Sequence, residues 1–77
     1  MIVFVIAEVE VGREKEVSRA LAIVTGVTEV YVLTGEYDVL VKIDVEEPEE
    51  ALDLIMDKIR KISGIENTIT IFAKKIK

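Results

Sequence analysis

The stretch Val27-Thr28-Glu29-Val30-Tyr31-Val32-Leu33-Thr34-Gly35-Glu36-Tyr37-Asp38-Val39-Leu40-Val41-Lys42-Ile43-Asp44-Val45 sets two β-branched runs around one break. Val27–Leu33 and Tyr37–Val45 read as strands, with Thr34-Gly35-Glu36 as the connector. A link this short allows only an antiparallel hairpin. Side chains alternate along a strand, so Tyr37, Val39, Val41, Ile43 and Val45 share one wholly apolar face. Asp38, Leu40, Lys42 and Asp44 share the other. The hairpin therefore needs a covering layer on one side.

The flanking sequence supplies that layer. Ile2–Val9 is a further strand, free of helix breakers. After Gly12, the segment Arg13–Val24 carries Val17, Ala20, Leu21 and Val24 at helical offsets, and Gly26 marks its stop. Pro48 opens a second helix, in which Ala51, Leu52, Ile55, Ile59 and Ile62 repeat as far as Ser63-Gly64. Glu49, Glu50 and Asp53 near its start, and Lys58, Arg60 and Lys61 near its end, complement the helix dipole. Ile65–Ala73 is the last strand, followed by Lys74, Lys75 and Lys77. The order βαββαβ predicts an α+β, ferredoxin-like domain spanning residues 1–77, a four-stranded antiparallel sheet with two helices on one face.

Two helices leave the opposite face of such a sheet bare. Ile69, Ile71 and Ala73 alternate with Thr68, Thr70 and Phe72, and Ile2, Phe4 and Ile6 with Val3, Val5 and Ala7. The bare face is expected to carry Phe72, Leu40 and either Phe4 or Val5. A chain of 77 residues has a marginal core, and with no Cys and no His it has neither disulfides nor the usual zinc ligands. Self-association remains, and a homodimer with the sheets face to face is predicted. A net charge of −5 argues against sequence-independent nucleic-acid binding. No apolar run reaches membrane-spanning length, and Met1–Ala7 lacks a basic leader, so a cytoplasmic protein without membrane contact is expected. The absence of Gln, the single Asn67 and the many Glu, Lys, Ile and Val residues suit a thermophile.

Enzyme motifs are nearly absent. Ser18 and Ser63 have no base to activate them, and nothing around Lys42 supports Schiff-base chemistry. The acidic run Asp44–Asp53 has Glu49, not Gly, at the sixth position a calcium loop requires. Single glycines at element boundaries make no phosphate loop. No catalytic residue, metal site or cofactor is expected. One constellation stands out. Gly35 permits a bend and close approach, Tyr37 offers a ring and a hydroxyl, and Asp38 offers a carboxylate for an ammonium group. Thr68 and Thr70 add hydroxyls suited to a carboxylate, so that the set could hold a zwitterion. The alternative is purely structural, since Thr-Gly-Glu-Tyr is a good turn and Thr a good strand former.

The run Val30–Ile43, centred on Gly35-Glu36-Tyr37-Asp38, resembles the Gly-x-Tyr-Asp stretch of the leucine-responsive/asparagine-regulatory (Lrp/AsnC) family. With Gly12, Leu21, Val27, Gly64-Ile65 and Thr68-x-Thr70, the likeness to that family's RAM (regulation of amino-acid metabolism) effector domain covers essentially the whole chain. The resemblance implies a dimeric α+β barrel whose dimers form rings, octamers or decamers, with an amino acid bound between dimers. By motif, Gly35, Tyr37 and Asp38 would line that pocket, with Thr34 as a weaker member. Asp38 would meet the amino group, and Thr68 and Thr70 the carboxylate. Thr25-Gly26 and Ser63-Gly64 stand where the family often has proline, which concerns turns only. With the first strand at its start, the sequence is expected to carry no helix-turn-helix domain. The expectation is thus a stand-alone, non-enzymatic amino-acid-sensing module that acts on transcription indirectly, with full-length Lrp/AsnC regulators as partners. Two alternatives remain: a small monooxygenase- or isomerase-like enzyme on the same barrel, or a purely structural assembly partner.

Overall fold

Alternation along Ile2–Val9 decides the layering. Val3, Val5, Ala7 and Val9 are buried, whereas Ile2, Phe4, Ile6 and Glu8 between them are only half-buried. In the computed structural model, which describes residues 1–77, this segment is β1 and has a partner on each side. It pairs antiparallel with Val39–Asp44 (β3) and with Ile65–Ala73 (β4), and β3 pairs antiparallel with Val27–Val32 (β2). The resulting order, β2-β3-β1-β4, is the ferredoxin-like arrangement expected of βαββαβ.

Glu14–Ala22 forms α1, and Pro48–Leu54 forms α2, which runs on into a π-helical turn at Ile55–Ile59. Val17 and Leu21 from α1, with Ala51, Ile55 and Ile59 from the second helical unit, lie on the buried rows of β1 and β3. All twelve buried residues are apolar. Fully burying one of the larger ones stabilises the fold by roughly 1.5–3 kcal/mol. The predicted row Val39, Val41 and Ile43 is fully covered, while Tyr37 and Val45 at its ends are half-buried.

The bounds differ from the expected ones for local reasons. Strand β3 begins at Val39 rather than Tyr37. The Asp38 N–H donates to Ala7 O at 3.1 Å and the Asp38 carbonyl accepts the Leu33 N–H at 2.8 Å, so the link spans Leu33–Asp38. Helix α1 starts one residue late because Arg13 sits at its cap with φ −107 and ψ 10. It ends before Val24, whose N–H bonds back three residues to Leu21 O at 3.1 Å. The second helix is not α-helical to Ile62. From Ile55 the turn widens, and the Arg60 N–H reaches five residues back to Ile55 O at 2.8 Å.

One face assignment is corrected. In antiparallel pairing, directly opposed residues point to the same side. Val3 opposes Phe72, Val5 opposes Thr70 and Ala7 opposes Thr68, so Phe72 and both threonines lie on the helix side of the sheet. Ile69 and Ile71, opposite Ile6 and Phe4, lie on the bare side with Leu40 and Tyr31. Phe4, not Val5, is the bare-face residue. Alternation groups the residues of β4 into two sets, but only its register against β1 decides which set meets the helices. Phe72 is still 49% exposed, because the helices cover the two central strands and leave the helix side of this edge partly open.

Candidate functional site

The turn between β2 and β3 is held by its own residues. Gly35 has φ +109, and a Cβ there would meet nothing within 4 Å, so backbone conformation alone demands glycine. Thr34 is exposed and Tyr37 half-buried, and neither side chain makes a hydrogen bond. The Asp38 carboxylate accepts the Val9 N–H at 2.7 Å. Its main chain bonds to Ala7 of β1 and to Leu33 at the start of the link, so Asp38 closes the link and ties it to β1. Expectation had this carboxylate free on the bare side to receive an ammonium group. Within one protomer one of its oxygens is already engaged.

Thr68 and Thr70 lie elsewhere. The helix side of β4, left uncovered, forms with the second helix a cavity of about 400 Å³. Both threonines line it, with Arg60, Glu66 and Asn67 as further polar groups. Leu52, Met56 and Ile65 supply apolar wall. Ala7 is opposed by Val39 on one side and by Thr68 on the other, so β1 separates the turn from the threonines. Two strand spacings amount to roughly 10 Å. Thr34, Gly35, Tyr37 and Asp38 line none of the main cavities. A single protomer thus brings the two threonines together and keeps the Gly-x-Tyr-Asp turn apart from them.

Arg60, Glu66, Asn67 and Met56 were not singled out from the sequence. Arg60 reads there as a dipole-complementing charge, and its place beside β4 depends on packing that no local pattern encodes. Fixing that packing is the link before β4. A Cβ on Gly64 (φ +103) would lie 2.9 Å from Val17 Cγ2, and the Gly64 carbonyl accepts the Glu10 N–H at 2.8 Å. Arg13 Nη1 donates to Ser63 Oγ at 3.1 Å while its guanidinium also meets Glu10 and Glu16. Those two carboxylates, Glu16 foremost, raise the Arg13 pKa.

A second polar group sits on the bare face. Glu29 accepts the Tyr31 hydroxyl proton and lies 3.3 Å from Lys42 Nζ. The Tyr31 hydrogen bond first, then Lys42, holds the Glu29 carboxyl below the ordinary carboxylate value, and Glu29 in turn raises the Tyr31 phenol. No group of three or more His, Cys, Asp or Glu side chains is placed to hold a metal ion, and no helix is long and apolar enough to cross a membrane.

The family model described as the Lrp/AsnC ligand binding domain matches residues 2–77. The chain belongs to the Lrp/AsnC family. This Lrp/AsnC domain is 39% identical over 75 residues to the HTH-type transcriptional regulator FL11 of Pyrococcus horikoshii, covering 97% of the chain and 49% of the regulator. A homocitrate synthase of Sulfurisphaera tokodaii is 41% identical over 54 residues, 70% of the chain but only 12% of that enzyme. The chain spans about half the length, or less, of these curated relatives. Among solved structures, FFRP-DM1 superposes with a TM-score of 0.88 at 34% identity, covering 95% of this chain and 97% of that one. The Lrp/AsnC resemblance read from the Gly-x-Tyr-Asp stretch and the ferredoxin-like topology are thereby established, and relatives from Pyrococcus fit the thermophile-like composition.

Proposed function

We propose that this Lrp/AsnC domain senses a free amino acid and relays its presence through assembly, acting on transcription by way of full-length relatives and without reading DNA itself. The observation that carries the reading is the cavity beside β4. It presents the Thr68 and Thr70 hydroxyls and unpaired charges in a chain of a ligand-binding family. Sequence shared with both a transcription regulator and an enzyme is best explained by ligand sensing, a task useful to either. The absence of His and Cys favours a non-enzymatic role, and the net charge of −5 favours a partner other than DNA.

Assembly follows from the bare face of the sheet. Ile2, Phe4, Ile6, Leu40, Ile69 and Ile71 form an apolar surface on a molecule with only twelve buried residues. A second copy packed face to face covers it and enlarges a small core, at about 25 cal/mol per Å² of apolar area removed from water. Rings of dimers, octameric or decameric, would then let a neighbouring copy carry its Gly35-Glu36-Tyr37-Asp38 turn to the threonine side of this one. That completes the pocket that β1 divides within a protomer. The working compartment in this reading is the cytoplasm.

Titration calorimetry with each of the twenty amino acids at millimolar concentration tests the sensing role, and one or a few should release or absorb heat with saturation. Silence from all twenty overturns it. Light scattering should return a dimer or a multiple of it at micromolar concentration, and a mass near 9 kDa would remove the assembly. The structural-partner alternative draws on the same bare face. It differs in one readout, because ligand binding only the folded assembly must raise its melting temperature. Under that alternative the melting temperature ignores every amino acid.

A further inference from the structure

The helix layer carries an uncovered apolar groove of its own, on the side of the molecule turned away from the bare face of the sheet. Ala20, Ile23 and Val24 at the end of α1 form one wall, and Leu54 and Ile62 form the other, around a volume of about 480 Å³. The second helix therefore has two flanks in use, since Leu52, Met56 and Arg60 face β4 instead. Leu54 reaches the end of α1 because Gly26 has no side chain, and a Cβ there would lie 3.1 Å from Leu54 Cδ2. Ile23 at the lip is 85% exposed, and pairing through the bare face would leave it so. A large apolar side chain beside an apolar trough marks an interaction surface.

The rim decides what the groove accepts. Glu50, Asp53 and Asp57 border Leu54 on the outer surface of the helix, with Lys58 as the one cation among them. None of the four makes an ion pair or a side-chain hydrogen bond within the protomer. Three carboxylates to one ammonium suit a segment in which an apolar side chain is flanked by cations, and they repel an apolar acid.

The chain itself contains such a segment. Lys74-Lys75-Ile76-Lys77 follows β4 without regular structure, its lysines form no ion pair, and Ile76 is 86% exposed. With Val11, Ile23 and Ile76 are the most exposed large apolar side chains of the molecule. The groove of the same protomer is out of reach. Lys74 and Lys75 lie against Ile2, Phe4 and Lys42, on the bare side of the sheet. Four residues extend no more than about 14 Å, and the route runs round the edge of the sheet and over a helix about 10 Å across. A copy packed on the bare face turns its own groove away as well. The acceptor is a copy outside that pair.

We propose that the groove between the helices receives the Lys74–Lys77 segment of a second copy, with Ile76 seated against Ile23, Val24 and Leu54 and the flanking lysines beside Asp53 and Asp57. The inference rests on the assembly proposed above and adds a contact between its dimers. One seated Ile is small against a standard interface, so the contact holds where the assembly repeats it and each engaged segment raises the local concentration of the next. A head-to-tail contact of this kind is one that can close a ring.

The chain has no cysteine, so crosslinking reads the contact directly. Ile23→Cys and Ile76→Cys chains, mixed and oxidised, should give a disulfide-linked pair in a yield several-fold above that of Val11→Cys with Ile76→Cys, a control at an equally exposed position. Light scattering should find Ile76→Asp, and the double variant Lys74→Glu/Lys75→Glu, as dimers where the wild type forms a multiple of the dimer. Adding Asp53→Lys and Asp57→Lys to the Lys74→Glu/Lys75→Glu chain should restore the larger species, a rescue that damage to folding cannot imitate. Equal crosslinking in the two mixtures, or charge reversal without rescue, overturns the inference. A disulfide closed within single chains of the Ile23→Cys/Ile76→Cys double variant gives the groove to the protomer's own segment and overturns it too. A wild type that stops at the dimer overturns this contact and leaves pairing through the bare face standing, whereas a mass near 9 kDa removes both.

Discussion

The turn between β2 and β3 and the cavity beside β4 carry similar chemistry and use it differently. At the turn, Asp38 accepts the Val9 N–H and its main chain bonds to Ala7 of β1 and to Leu33 of the link, so its polar groups stabilise the protomer. At the cavity, the side chains of Arg60, Glu66, Thr68 and Thr70 make no hydrogen bond within the protomer, yet their backbone is held by the packed link at Ser63-Gly64. A motif that stands out in a sequence can therefore be mainly architectural. Side chains left without an internal partner can lie outside any motif, as Arg60 and Glu66 do beside Thr68 and Thr70.

The two glycines test this division most sharply. Gly64→Ala puts a Cβ 2.9 Å from Val17 Cγ2 in the core and strains a φ of +103. It should cost roughly 2–3 kcal/mol, read as a lowered midpoint in urea unfolding. Gly35→Ala meets only the conformational penalty and should cost about 1 kcal/mol. Equal losses would mean that the link before β4 is no more constrained than the turn. Next in size is Asp38→Ala, which strips the partner from the N–H of buried Val9. The expected loss is about 1–2 kcal/mol, and a drop in melting temperature of several degrees in a chain this size should report it. An unchanged melting temperature would show that water replaces the carboxylate and that Asp38 is free for a ligand after all.

Where local pattern sufficed, the fold was legible. The alternation in Val39–Ile43 and the helical repeats through Val17–Leu21 and Ala51–Ile59 named the core, and the short hairpin link forced the antiparallel pairing. Phe72 was misplaced because alternation has two phases, and the register of β4 against β1 that chooses between them is a long-range property. The π-helical turn left no trace, since Ile55 and Ile59 recur at a spacing compatible with either helix and no Gly or Pro interrupts them. Thr68 and Thr70 were read as a pair from their own strand, and they share a cavity. Arg60 and Glu66 could not join them on paper, for each owes its position to an irregularity that only the packed chain displays.

At the cavity the expectation reverses. Arg60→Ala and Thr68→Val remove groups that make no internal hydrogen bond, so each should leave stability within about 0.5 kcal/mol of the parent. Chemical unfolding measures this directly. A loss of 1 kcal/mol or more from either would make the cavity as structural as the turn, and the contrast between the regions would collapse.

Acid separates them by the smallest expected effect. At the other end of the hairpin, Glu29 is held below the ordinary carboxylate value by the Tyr31 hydroxyl and by Lys42. A carboxyl whose folded pKa is depressed stabilises the native state above its unfolded value, and that contribution disappears as the pH falls through the folded one. The Tyr31 phenol, raised by the same contact, keeps its share below the ordinary phenol range and loses it only as alkali passes the folded value. Between these limits the pair is silent. Melting curves of wild type and Glu29→Gln from neutral pH to pH ~3 should therefore converge on acidification, with the variant losing less, because it has no charge to neutralise. The contact is solvent-exposed, so added salt should shrink the difference. Curves that stay parallel throughout would show that the hairpin gains nothing from its polar pairing, and that internal commitment in this part of the molecule is confined to Asp38.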